Sequence, residues 1–523
     1  MNQRQTHFSP AAIVGLISLP IFIGALDLTV VSAVLPHVVY DLEIPLQSGL
    51  DDAAWVVSGY LLAYTVAMTF MGSLSDRAGR QRVYLLALAI FALGSYLVAV
   101  ADGWPTDLAL QIAYRLGPER PDPAYLSLWM LVMARMVQAF GGGAMVPVGM
   151  AIAGDLYPPG RRARPLGVIA AVDTAGWVVG HLYGGILTRY FDWRVIFWMN
   201  LPLCLAAFLM IYFALADLPR LPETVGRMDW SGGALISLAL AALNLGLGTG
   251  AEQSSMLSLG GVSALPRFAP GYLALATLFF ILFLWRQRGA ANPLMPPALF
   301  RRPNFSAAGL SNFLIGVGLF IAIANVPLFI NTLVAETLEQ GAWDSGWILS
   351  ALTVPMALAS VPGGWLTHRW GYRLPALAGL ILATTGFLLM TSWQPETTYL
   401  AMIPQLALTG VGYGLTLAPI AAAVIDTSPP GQRGAASGLV IIFRLVGMTV
   451  GVSALATYGL QRANFLGWEM LGPSADLTAA ARVGMQIATQ VISETFLIAA
   501  VVSVFAILPS SVLKPLSTER GKP

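Results

Sequence analysis

Asp173 and Arg444 are opposite charges embedded in apolar segments, and the 271 positions between them are the period of an internal repeat. A charge at the centre of a bilayer costs about 2.5 to 3.5 kcal/mol on insertion scales, so one that persists there needs a partner, a water-filled cavity or a job. Paired in low dielectric, the two would attract strongly. Protonating the carboxylate would cancel that attraction and free the arginine, so a proton could open the lock; a static pair is the plainer alternative. A third candidate is Asp27, flanked by Leu26, Leu28, Val30 and Val31 with no basic residue one helical turn away. A carboxylate so placed can take up a proton on one side of a membrane and release it on the other, or it can sit as a neutral acid bonded to Thr29. Arg135, in another apolar segment, is the candidate cation to modulate it.

The elements that position these residues are membrane spans. With 57% apolar and 10% charged residues and a mean hydropathy of +0.72, the chain cannot present the polar surface of a soluble domain. At about 20 residues per span, helices are predicted near 11–36, 53–73, 83–101, 125–153, 165–188, 195–216 and 230–250, then 269–286, 305–332, 345–367, 374–393, 398–424, 434–459 and 486–509. No small-residue cleavage site follows the first apolar core, so that segment reads as a retained span. The segment 461–485 is amphipathic at its start and should lie on the membrane surface or extend the thirteenth helix.

Arginines fix the orientation. Arg77, Arg80 and Arg82, then Arg161, Arg162 and Arg164, then Arg286, Arg288, Arg301 and Arg302 fall in alternate loops, which places those loops and both termini in the cytoplasm of a cell membrane. A net charge of +2 without a dense basic stripe excludes a nucleic acid partner. The single Cys204 excludes an internal disulfide. No metal-ligand cluster, P-loop or Ser/His/Asp grouping appears, so neither an enzyme, a metal site nor a cofactor is expected.

The repeat is specific. Asp155-Leu-Tyr-Pro-Pro-Gly-Arg-Arg162 leads into Gly167, Gly176 and Gly180; Asp426-Thr-Ser-Pro-Pro-Gly-Gln-Arg433 leads into Gly438, Gly447 and Gly451. A second echo sets Gly72-Ser-Leu-Ser-Asp76-Arg77-Ala-Gly79 against Gly364-Trp-Leu-Thr-His368-Arg369-Trp-Gly371. These divide the chain into a six-helix bundle at 1–216, two linker helices at 217–303 and a second six-helix bundle at 304–523. Parallel halves imply a transporter with its site at their interface. Asp173 and Arg444 then occupy one depth in symmetry-related helices, each three residues before a matched glycine.

Several of these segments resemble one family. Gly72-Ser-Leu-Ser-Asp76-Arg77-Ala-Gly79-Arg80-Gln-Arg82 looks like the loop signature of the major facilitator superfamily. Leu26-Asp27-Leu-Thr-Val-Val-Ser32-Ala-Val-Leu-Pro36 resembles the first-helix motif of its fourteen-helix drug/proton antiporters, with Ser32 where Asn is usual. Arg135-Met-Val-Gln138-Ala-Phe-Gly141 resembles the fourth-helix motif. Gly167, Gly176, Gly180, Gly184 and Gly185 match the antiporter motif of the fifth helix, except that His181 replaces a proline; Trp193-Arg194 with Phe197, Asn200 and Pro202 resembles the start of the sixth.

The resemblance implies an all-α major facilitator fold working by alternating access, with no catalytic residue. Asp27 and Arg135 would couple protons, and Asp173 with Arg444 would gate. Gly72, Asp76, Arg77, Gly79 and Arg80 would latch one face, and the glycine helix would seal the cavity against leak. His181 would add a group titrating near pH 6.5 or serve only as a bonded structural histidine. The leading expectation is proton-driven antiport of hydrophobic or amphiphilic small molecules. The alternative is export of a lipid or glycolipid, because an acid in helix 5, an arginine in helix 13 and Leu182-Tyr183-Gly184-Gly185 resemble a lipid-exporting branch found in mycobacteria. Expected partners are protons, membrane lipids, the substrate and, for the lipid reading, an extracytoplasmic lipid-accepting protein; a monomer suffices.

Overall fold

Proline and small polar residues start several of the helices. Ser9 accepts a hydrogen bond from the Ala12 amide ahead of Pro10, and Asp122 accepts one from Ala124 ahead of Pro123. Each places a capping oxygen at the N-cap and a proline in the first turn, where its missing N–H costs nothing. The computed structural model describes residues 8–44, 50–53, 55–116, 121–216, 228–247, 269–335, 337–470 and 477–514.

Fourteen long helices run through the described residues. They are α1 (Pro10–Asp41), α2 (Trp55–Ala78), α3 (Arg80–Ala99), α4 (Pro123–Leu156), α5 (Ala163–Tyr190), α6 (Arg194–Ala214) and α7 (Trp230–Leu247). The rest are α8 (Pro270–Gly289), α9 (Pro303–Phe329), α10 (Leu338–Trp370), α11 (Arg373–Met390), α12 (Tyr399–Thr427), α13 (Arg433–Met470) and α14 (Leu477–Val512). Thirteen stretches are long and apolar enough to cross a membrane; the 28-residue α5 runs among them. Prolines inside α4, α6, α10 and α12 are tolerated because neighbouring helices satisfy the backbone groups they free.

The two sets of six helices pack alike. In the first set α1 lies on α5, and α4 holds both α2 and α3; in the second α9 lies on α13, and α12 holds both α10 and α11. The sets meet along two seams, α2 with α13 and α5 with α10. Helices α7 and α8 pack on each other, and α7 also touches α2 and α13. Loops bearing the arginine clusters collect at one end of the bundle, called here the basic face; the opposite end is the far face.

One element differs from the sequence expectation, and one alternative is decided. The stretch after α3 contains a 13-residue helix, Trp104–Leu116, whose Trp104, Leu108 and Ile112 repeat every four residues and are about half exposed. That stripe suits a helix lying at the membrane surface, and it is too short to register as a span. The segment after 460 extends α13 to Met470, giving helices of 38 and 36 residues for α13 and α14. At about 1.5 Å per residue these measure about 57 and 54 Å against a bilayer core of about 30 Å, so the pair projects well beyond the far face. Arg462 and Glu494 staple the hairpin at 2.8 Å, with the Tyr458 hydroxyl donating to the same carboxylate at 2.7 Å. Glu494 therefore belongs to this staple and not to the central cavity.

Candidate transport site and gate

The basic face is closed by charges that cross between the halves. Asp76, at the end of α2, accepts from the backbone N–H groups of Gly434 and Ala435 at 2.9 and 2.8 Å. Those groups open the first turn of α13, where unpaired N–H groups and the helix dipole favour an anion. Arg80 pairs with Asp76 at 2.6 Å and with Asp155 at 3.0 Å. Asp155 in turn pairs with Arg433 of the other half at 2.6 Å. The mirror contact joins Arg162 to Asp426 at 2.8 Å, and the Tyr372 hydroxyl donates to the other Asp426 oxygen at 2.5 Å. Burial, and then the adjacent Asp426 charge, raises the Tyr372 phenol well above its ordinary range.

Asp155 and Asp426 are repeat mates, as are Arg162 and Arg433, so each half lends its acid to the other's arginine. Sequence reading missed this exchange, although the repeated acid and arginine of the Pro-Pro-Gly motif carried the signal. The latch residues divide: Asp76 and Arg80 reach across to the other half, whereas the Arg77 guanidinium donates to the Asn292 carbonyl at 3.1 Å, beside the linker helices. Gly79 starts α3 with φ +93, a conformation that side chains rarely adopt. At position 368, where the repeat replaces the latch carboxylate with histidine, the His368 ring lies 2.6 Å from the Gly160 carbonyl.

Backbones touch at both seams. A Cβ on Gly434 would collide with the Gly72 carbonyl, and one on Gly364 with the Ala163 carbonyl. These crossings are repeat mates too, which is why small residues occupy them.

Asp173 on α5 and Arg444 on α13 face each other at 3.7 Å, mostly buried. This is an ion-pair distance and too long for a hydrogen bond. The pair borders a small cavity of about 40 Å3 whose other walls include Met150, Ile169, Asn312, Ile420 and Val440. A larger cavity of about 320 Å3, lined by His37, Tyr40, Asp41, Phe191, Asp192 and Trp193, lies at the far end of the first half, away from the interface. Its acids are already engaged by Arg194.

Asp27 has partners that its own sequence neighbourhood does not reveal. It is fully buried and accepts from Arg135 at 2.5 Å, Gln138 at 2.9 Å and Asn200 at 3.2 Å. Arg135 also donates to the Asp27 carbonyl and stacks 4.0 Å above the Tyr60 ring. Asn200 continues to Ser95 at 3.0 Å. The cluster ties α1, α3, α4 and α6 together. The glycine helix packs here as well: a Cβ on Gly176 would press on Ala25, and one on Gly180 would meet the Leu26 carbonyl. Gly167 instead packs across the seam, where an added Cβ would lie 2.5 Å from the Ser360 carbonyl. Gly184 follows along α5; the side chains of His181, Leu182 and position Gly185 fall outside the described residues.

A family model described as Major Facilitator Superfamily matches residues 17–451 and, in a second match, 308–522. The chain belongs to the major facilitator superfamily. Members of this superfamily are transporters and not enzymes, so the chain is a multi-pass membrane transporter. A triacylglyceride transporter of Mycobacterium tuberculosis is 32% identical over 508 residues, covering 93% of this chain and 91% of that one. One of Mycobacteroides abscessus is 32% identical over 461 residues, covering 86% and 82%. Among solved structures, the proton:xylose symporter XylE superposes with a TM-score of 0.60 at 14% identity, covering 95% of this chain and 94% of that one. The human organic anion transporter MFSD10 gives 0.58 at 16% identity, covering 95% and 100%. At such identities the structures speak for the fold alone.

Proposed function

We propose that this superfamily member exports a neutral lipid of the acylglycerol class across the cell membrane, driven by proton uptake from outside. Its basic face and both termini are cytoplasmic in this reading. The observation that carries it is the Asp173–Arg444 pair, which joins the two halves beside an interface cavity otherwise lined almost wholly by apolar side chains. An ion pair in low dielectric is weakened strongly when its carboxylate is protonated. Proton binding at Asp173 would therefore loosen the halves from each other, and proton loss would restore the pair.

Relatives named for triacylglyceride transport favour lipid over drug as cargo. Asp27 with Arg135 completes the proposal as a coupling site beneath the glycine helix. An extracytoplasmic lipid-accepting protein would take the cargo, and a monomer suffices for the cycle. Reconstituted protein under an imposed pH gradient, presented with a fluorescent triacylglycerol and a cationic dye in parallel, tests the assignment. Gradient-dependent lipid movement is expected; dye movement without lipid movement would return the multidrug reading.

A further inference from the structure

The buried atoms around Asp173 and Arg444 are not all satisfied by protein. Asp173 Oδ1 and Arg444 Nε are both buried without a hydrogen-bond partner among the described residues, and the 3.7 Å contact between Oδ2 and the other end of the guanidinium does not serve them. Leaving such groups unmade costs about 1 to 3 kcal/mol each, and more when they are charged. The adjoining chamber offers a remedy. At about 40 Å3 it has room for about three waters, since one needs roughly 10 to 15 Å3 of such volume and two to four polar partners. Asn312 supplies a further polar wall, its amide fixed by donation to the Val440 carbonyl at 2.5 Å.

The chamber lies between the ion pair and the latch. Along α13, Arg433 sits in the latch, Val440 and Ile441 line the chamber and Arg444 forms the pair; eleven residues of helix span about 16 Å. Below the chamber along α12, Ile425 packs against Gly154 of α4. Around Asp173, α13 contributes Arg444 and α2 contributes Tyr64, which lies within electrostatic reach of both charges. The lining residues from α4, α9 and α12 include no ionisable group.

We infer that this chamber holds a short chain of waters bonded to Asp173 and Arg444, and that these waters carry the proton from Asp173 toward the basic face when the latch opens. This rests on the proton-coupling reading. In the step itself the Asp173 O–H bond breaks, the adjacent water takes the proton as hydronium and passes it on, and the carboxylate left behind pairs again with Arg444.

Two measurements test it. A high-resolution experimental structure of the full chain with the basic face closed should show ordered solvent within hydrogen-bond distance of Asp173 Oδ1 and Arg444 Nε; a dry chamber overturns the inference. Ala421 of α12 also lines the chamber; in proteoliposomes containing pyranine, Ala421→Leu should fill it and slow proton release on the basic side at least about tenfold with lipid affinity unchanged. A wild-type rate in the folded leucine variant overturns the inference, and Ala421→Val serves the same comparison if the leucine variant fails to fold. Absence of proton release from the wild type would instead sink the coupling reading, while the solvent density would still decide whether the chamber is hydrated.

Discussion

Replacing Asp27 by asparagine leaves the Arg135 guanidinium, 1% exposed, without its counter-charge. Removing one member of a buried pair costs about 3 to 5 kcal/mol, because the other charge stays desolvated. Asp27→Asn should therefore lower the unfolding temperature of the purified protein, and pairing it with Arg135→Gln should recover part of the loss. A wild-type melting curve for the single variant would contradict this. From Leu26, Leu28, Val30 and Val31 alone Asp27 reads as a lone acid. Its contacts to Gln138 and Asn200 depend on how α4 and α6 rotate against α1, which no local pattern encodes. Asp173 differs in having one long contact and a cavity beside it. Asp173→Asn should fold normally and lose its response to a pH gradient.

At the scale of elements, the seams are set by small residues and crossed charges. Gly434→Leu would drive a side chain into the Gly72 carbonyl, so α13 and α2 could not close. The basic face should then stay open, measured as faster labelling of cysteines introduced at Ser75 or Ala435; slow labelling equal to the parent would refute that. Exchanging Asp155→Arg with Arg433→Asp should restore part of the transport lost in either single variant, because the 2.6 Å contact is a direct one, while Arg80, which pairs with Asp155 at 3.0 Å, would then face a like charge. Helix number and order were legible from hydropathy, since each span needs its own apolar run. The Trp104–Leu116 helix was not, because a surface helix is half polar. For the stretch past 460 the sequence left a surface helix and an extension of α13 open; what decides for the extension is the Arg462–Glu494 contact, 32 residues apart.

For the whole molecule, the repeat carried the most information. A single offset put Asp173 opposite Arg444 and predicted two similar halves, and the structure joins those residues across the interface. What the repeat could not convey is which contacts hold one state, because the same sequence must also serve the state in which the basic face opens. The latch, the Gly72 and Gly434 crossing and the Asp173–Arg444 pair all lie between halves and would break or rearrange together. The Asp27 cluster lies within one half and should ride as a rigid body. The most direct test is lipid movement by reconstituted wild-type and Asp173→Asn proteins with and without a pH gradient. Acceleration by the gradient in the wild type, with one unchanged slow rate for Asp173→Asn, is predicted; gradient-driven transport by the asparagine variant at the wild-type rate would contradict the account.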